Sequence, residues 1–217
     1  MADSITKARK AQTHKVGTTA GLITFDQFYD IVEENVKADL LDGKILRDSP
    51  AIPVHTLTVT WMTNAISYYA EKFDLGIVGG ATATVKLSKY QGPELDVFFI
   101  RKSRRGIVGE KYFDGPPDLC VEVISKSSRK IDRGRKYMLY AEFGVKEYWI
   151  IGPLRLTLEF YENHDGAWTE IKPDAQGRLH SQVLPGFWLK PAWFKVFPLP
   201  AVFKTVDGII SENQRSG

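Results

Sequence analysis

Pro116-Pro117-Asp118-Leu119-Cys120-Val121-Glu122-Val123-Ile124-Ser125 reads as a buried strand that begins at a proline stop and carries a carboxylate in its middle. Residues two apart in a strand share a face, so Asp118, Cys120, Glu122 and Ile124 point one way and Leu119, Val121 and Val123 the other. Glu122 therefore has only apolar or distant company on its own strand, and an ionised group in such a place needs a partner. One such partner is a divalent cation bridging Glu122 to a second acid; hard oxygen ligands with an incomplete shell suit Mg²⁺ or Mn²⁺. Asp96, at the head of the apolar run Asp96-Val97-Phe98-Phe99-Ile100, is the natural second acid. A structural ion pair with Lys136 or an arginine would satisfy Glu122 as well, and Asp96 alone also reads as an acid at a strand edge.

Downstream of the Ser125 to Ser128 turn, helix-forming residues run from about 132 to 143, with Gly144 placed just past the helix end. Leu139, Tyr140 and Phe143 stand three, four and seven positions after Lys136, which puts the lysine at the edge of a packed stripe. An ammonium held there could orient or activate a water and offset charge on an attacked phosphate. Taken alone, Lys136 reads as a snorkelling surface lysine. Arg133 and Arg129, one and two turns earlier, could contact a backbone phosphate.

Upstream, Thr24 and Gln27 have capping-box spacing before an amphipathic helix expected over about 24 to 35. Asp42-Gly43, between short apolar runs, signals a tight hairpin with Asp39 at its entrance. From about 54 to 73 no Gly or Pro intervenes, and length favours a helix over the local strand preference of Val54, Thr56, Thr58, Val59 and Thr60. Residues 82 to 88 alternate as a half-buried strand, and the basic stretch holding Arg101, Lys102, Arg104, Arg105 and Lys111 reads as an exposed loop. Further strands are expected at 147–151, 154–161 and 167–171, the last two joined through Asp165-Gly166. Phe187, Trp188, Trp193 and Phe194 read as core or dimer contact.

With 217 residues, 43% hydrophobic and 25% charged, the chain suits one well-buried domain, expected over 21–200 between a mobile leader at 1–20 and a tail at 201–217. A net charge of +3 is compatible with a polyanionic partner without requiring one. The single cysteine, Cys120, excludes an internal disulfide and fits a reducing compartment. His14, His55, His164 and His180 show no metal-ligand spacing. No apolar run of membrane-spanning length appears, and the expected location is cytoplasmic, with no membrane partner.

The combination of Pro117-Asp118-Leu119-Cys120-Val121-Glu122-Val123-Ile124-Ser125 with Tyr140-Ala141-Glu142-Phe143-Gly144-Val145-Lys146-Glu147-Tyr148-Trp149 resembles the Uma-type restriction-endonuclease family within the PD-(D/E)XK nuclease superfamily. Leu40-Leu41-Asp42-Gly43-Lys44-Ile45 and Pro93 to Ile100 also carry the resemblance, which extends from about residue 21 to 197. It implies an α/β (α+β) fold with a restriction-endonuclease-like core, a mixed central β-sheet flanked by helices. It also implies a metal-dependent endonuclease acting on DNA, with Asp96 and Glu122 as metal ligands and Lys136 as a lysine displaced from its usual place two residues after the second acid, where this chain has Ile124. Asp39, where the family has glutamate, is a possible additional acid, and Glu94 in Pro93-Glu94-Leu95-Asp96 competes with Asp96 for the first ligand position. A homodimer is expected by the same analogy. The alternative is a nuclease fold without turnover that acts as a nucleic-acid-binding or interaction module.

Overall fold

The computed structural model describes residues 21–33, 36–47, 51–125, 128–153 and 157–216. Its elements run α1 (Phe25–Ile31), β1 (Ala38–Leu41), β2 (Lys44–Arg47), α2 (Pro53–Lys72), β3 (Gly76–Lys86), β4 (Glu94–Arg101), β5 (Phe113–Asp114) and β6 (Leu119–Val123). A composite helix follows, made of α3 (Arg129–Ile131), a π-helical segment (Asp132–Lys136) and α4 (Tyr137–Glu142). The chain then continues through β7 (Glu147–Gly152), β8 (Thr157–His164), β9 (Ala167–Ile171), β10 (Leu179–His180), β11 (Trp188–Leu189) and α5 (Val202–Ser216).

Among the described residues the main sheet has the order β5-β3-β4-β6-β7-β8-β9. β4 and β6 are antiparallel and β6 and β7 parallel, so the sheet is mixed, with β4, β6 and β7 at its centre. Central strands buried on both faces need apolar residues at every position, and the alternation sorts them. Val97, Phe99, Leu119, Val121, Val123, Trp149 and Ile151 enter one core with Trp61, Met62 and Ile66 of α2. Phe98, Ile100, Cys120, Tyr148 and Ile150 enter a second core with Leu139 and Tyr140 of α4. Helices therefore cover both faces.

Local chemistry explains the flanking elements. Pro53 occupies the first turn of α2, and the hydroxyls of Thr58 and Thr63 donate to the carbonyls of Val54 (2.7 Å) and Val59 (2.9 Å), which lets β-branched residues sit in a helix. The capping box of α1 forms as its spacing predicts, yet the helix stops at Ile31, short of the expected 35, and residues 34 and 35 lie outside the described residues. Two β-branched residues, Ile31 and Val32, followed by an acid at the wrong end of the helix dipole, account for the early stop. In the β1–β2 hairpin Asp42 (φ 52) and Gly43 (φ 68) both take the left-handed conformation that two-residue hairpins require. The hairpin then docks onto the approach to β4: Leu40 and Gly92 exchange backbone hydrogen bonds of 2.9 and 2.8 Å. A Cβ at Gly92 would stand 2.6 Å from the Phe25 ring, so only glycine admits this contact.

Three expectations change. The basic stretch after β4 forms a 3-10 turn over Lys102–Ile107 rather than an open loop, because Arg104 reaches back to Asp118 (3.1 Å) and the Pro116 carbonyl (2.8 Å). The segment expected as a tail is α5, whose Val206, Ile209 and Ile210 are buried in the core that holds α2. Glu147, expected only as the start of a strand, is a fully buried carboxylate that accepts hydrogen bonds from Trp149 Nε1 (2.8 Å), Ser181 Oγ (2.8 Å) and the amides of Gln182 and Val183 (both 3.1 Å). Burial pushes its carboxyl up to about 7, against those four donors. Residues 1–20 and 154–156 lie outside the described residues.

Because Glu147 faces donors on both oxygens, Glu147→Gln turns an amide N–H toward a group that already donates. The substitution should cost about 1–3 kcal/mol, read as a lower urea midpoint at constant m; an unchanged midpoint would mean that the donors have other acceptors.

Candidate active site

Asp96 stands where two ladders change. The β4–β6 pairing ends at Val97↔Val121, and beyond it the Asp96 carboxylate, not a backbone carbonyl, accepts the Val123 amide through Oδ2 at 2.8 Å. On the other side, the β3–β4 register shifts between Gly80 and Ala83, so two β3 residues oppose Asp96 alone. Bulges of this kind re-aim a side chain. The outer oxygen, Oδ1, lies 2.5 Å from Lys37 Nζ, and His55 Nε2 lies 3.5 Å from Oδ2.

Glu122 lies on the face of β6 predicted for it, beneath the composite helix. Its Oε1 accepts from Tyr140 OH at 2.8 Å and from Lys136 Nζ at 3.2 Å. The π-helical segment shifts the helical phase just before Lys136, so Asp132 and Lys136 are both buried, and the Asp132 carbonyl accepts from Tyr148 OH at 3.1 Å. Asp39 arrives from the hairpin: Oδ1 accepts the Glu94 amide at 2.8 Å and Oδ2 faces Lys136 Nζ at 3.1 Å. Glu94 turns away and accepts the Ala38 amide at 3.1 Å, while its carbonyl lies 3.3 Å from Lys136 Nζ.

Lys136 is thus a hub. Its ammonium has three N–H donors, and three acceptors, Asp39 Oδ2, Glu122 Oε1 and the Glu94 carbonyl, lie within 3.3 Å. The side chain is 3% exposed. The structural ion pair weighed for Glu122 is therefore present, and it coexists with the gathering of acids. Arg133 pairs with Glu159, and Arg135 with Asp42. Lys37, His55, Asp132 and Tyr140 are members of the cluster that sequence reasoning did not single out. The i, i+4 spacing of Asp132, Lys136 and Tyr140 was a usable signal, whereas nothing local marks Lys37 or His55.

The electrostatics follow from five buried acids, Asp39, Glu94, Asp96, Glu122 and Asp132, sharing few cations. Burial pushes the Glu122 carboxyl up to about 8, with repulsion from Asp96 and Asp132 adding to it. Lys136 opposes this shift and does not outweigh it, because its charge is divided among Asp39, Glu122 and Asp132. Burial raises Glu94 to about 7 and Asp132 to about 6 in the same way. Asp96 goes the other way: burial alone would raise it, but hydrogen bonds and charges from His55 and Lys37 hold it well below the usual carboxylate range. Lys136 keeps its proton, since the attraction of four acids exceeds its burial penalty.

The profile of the Uma2 family, described as "Putative restriction endonuclease", matches residues 24–192, more than half of the chain. The chain belongs to the Uma2 family. Four solved chains are similar to it. One, described as a putative nuclease belonging to DUF820 from Anabaena variabilis, has a TM-score of 0.67 at 16% identity, over 79% of this chain and 97% of that one. That likeness establishes the fold, a restriction-endonuclease-like mixed sheet flanked by helices. No curated protein matches the chain.

Membership of the Uma2 family raises the question of a metal. Among the described residues no three acidic, histidine or cysteine side chains are arranged to hold an ion by themselves. Mg²⁺, however, is commonly bound through one or two carboxylates, with water and phosphate completing its shell. Asp96 and Glu122 supply that minimum in hard oxygens. The raised carboxyls of Glu122, Glu94 and Asp132, together with a buried Asp132 Oδ1 that has no hydrogen-bond partner, mark a place short of positive charge. The donor set fits a hard divalent cation.

Two outcomes are expected. Acids with raised folded-state values bind protons more tightly folded than unfolded, so between about 4.5 and about 8 the folded state of Glu122 holds protons that the unfolded chain has lost. Stability from Glu122, Glu94 and Asp132 is fully present below their ordinary values and is lost as pH rises through about 6 to 8. Asp96 contributes in the opposite sense, its share being lost only as pH falls below its ordinary 3.8. The melting temperature in metal-free buffer should therefore fall from pH 5 to pH 8; a rising profile over that range would contradict the buried-acid description. Lys136→Met, which removes the hub and leaves its acids uncompensated, should cost about 3–5 kcal/mol, measured by chemical denaturation at pH 8.

Proposed function

We propose that this chain is a Mg²⁺-dependent phosphodiesterase that cuts DNA internally, with Mn²⁺ able to substitute. The reading is supported by the place of Asp96 and Glu122 one step beyond the last β4–β6 pair, near enough for the Asp96 charge to raise the Glu122 carboxyl, inside a cluster short of positive charge. Asp96 and Glu122 would hold the cation, which when bound supplies Lewis acidity and a water of lowered pKa for in-line attack at phosphorus. The chain's own contribution is to fix those two carboxylates. Val123 N–H orients Asp96; Tyr140 and Lys136 orient Glu122; Asp39 steadies Lys136 and the first amide of β4.

A cytoplasmic setting accords with the one buried thiol, Cys120, and no helix of the described residues is long and apolar enough to cross a membrane. The homodimer implied by analogy belongs to the proposal as well, and sedimentation would read it.

A second reading has one observation in its favour. Asp96 and Glu122 are 3% and 2% exposed, which suits a scaffold that binds nucleic acid and does not cut it. Cleavage of a supercoiled plasmid in Mg²⁺ separates the two. Asp96→Asn and Glu122→Gln should each slow cleavage by more than the roughly 10–100-fold that follows loss of an outer ligand partner, while the proteins still bind duplex. Variants that cut as fast as the unaltered chain would sink the site assignment, and tight duplex binding without cleavage in either metal would establish the second reading.

A further inference from the structure

The geometry points to Lys37 as the residue that meets the phosphate of the substrate, the role the sequence suggests for Lys136; this inference rests on the phosphodiesterase reading above. An anionic substrate approaching five buried acids is repelled unless a cation stands at the approach. Lys136 is ill placed for that task. Its three donors already have acceptors, its side chain is 3% exposed, and every acceptor it meets is a protein oxygen. Of the arginines of the composite helix, Arg133 pairs with Glu159, on which the charge of Arg129 also acts, and Arg135 pairs with Asp42.

Lys37 differs in its exposure. It lies immediately before β1, its side chain keeps 25% of its surface in solvent, and its Nζ is 2.5 Å from Asp96 Oδ1. Its charge also acts on Glu122, and it is repelled by Lys136, so it belongs electrostatically to the same cluster while standing at its outer side. His55, 14% exposed, flanks the other oxygen of Asp96. Lys37 and His55 are thus the partly exposed side chains that contact Asp96. A lysine ammonium on a four-carbon stem can move from a carboxylate to a phosphate oxygen a few ångströms away without backbone motion, and it binds phosphate as a point charge. Lys37 is accordingly a phosphate-binding residue, and Lys136 is a positioning residue acting through Glu122 and Asp39.

Binding of a fluorescein-labelled DNA duplex, followed by anisotropy in Ca²⁺ over a range of KCl, tests this without relying on turnover. Lys37→Gln should weaken binding and reduce the slope of log K against log salt by about 0.9, the value of one lost phosphate contact. Lys37→Arg, which keeps the charge, should keep the slope, and Lys37→Gln should also lower the cleavage rate in Mg²⁺. If the unaltered chain binds and cuts duplex while Lys37→Gln matches it in both slope and rate, Lys37 is not the contact and the phosphodiesterase reading stands. If the unaltered chain neither binds nor cuts, that reading fails and this inference with it. Should Lys37→Gln not fold, acetic anhydride labelling of the unaltered protein decides: bound duplex should slow acetylation of Lys37 several-fold, and equal labelling with and without duplex overturns the assignment.

Discussion

The structure turns on a shortage of positive charge in one buried place. Asp39, Glu94, Asp96, Glu122 and Asp132 all lie beneath the surface, with Lys136 and Lys37 as the lysines among them. An isolated buried carboxylate would carry a penalty far larger than any hydrogen bond repays, so each acid must be paired, bonded to backbone amides or protonated. The protein uses all three. Asp96 is paired and amide-bonded and stays ionised, Asp39 caps an amide and meets Lys136, and Glu122 is left with its carboxyl raised to about 8. The asymmetry between Asp96 and Glu122 comes from their partners: Asp96 has His55 and Lys37 beside it, whereas Glu122 shares Lys136 with Asp39 and Asp132.

The fold supplies that place by interrupting its own regularity. A sheet that continued its β4–β6 ladder past Val97 would use the Val123 amide for a backbone bond and leave Asp96 no reason to turn inward. The register shift in β3 removes the regular neighbour on the other side. The hairpin bearing Asp39 is tied to the approach and first residue of β4 through Tyr90, Gln91, Gly92 and Glu94, and the π-helical segment brings Lys136 over the gap. Each device is a local irregularity, and together they surround one small volume. Elsewhere the central strands alternate between two apolar cores, with Glu147 the buried polar exception, which is why the irregular part can be carried.

Glu122 and Asp96 stood out because each interrupts or heads an apolar run, and a violated pattern is visible in one dimension, whereas Lys136 stood only at the edge of a helical stripe and drew its role from the family resemblance. Asp39 was legible through the Asp42-Gly43 turn that fixes its position relative to a hairpin. Lys37 and His55 were not, since their roles exist only because β1 and the start of α2 lie beside residue 96 in space, at sequence separations no period reports. The same holds for Glu147, whose donors come from 34 to 36 residues away in three of four cases. α5 was missed for a different reason. Its buried Val206, Ile209 and Ile210 have helical spacing, but Gly208 and the polar residues after it obscure a stripe that only packing on α2 completes.

The division of labour between the two lysines follows from the same electrostatics. A cation that neutralises buried acids is most effective where water is absent and every donor has an acceptor, which is the position of Lys136. Such a group has nothing left to offer a substrate: releasing one of its bonds would expose an uncompensated carboxylate in a dry site. A cation that admits a phosphate must keep access to solvent, and Lys37, with a quarter of its side chain exposed, keeps it. Charge compensation and substrate contact place opposing demands on burial, so a site sunk this deeply assigns them to different residues.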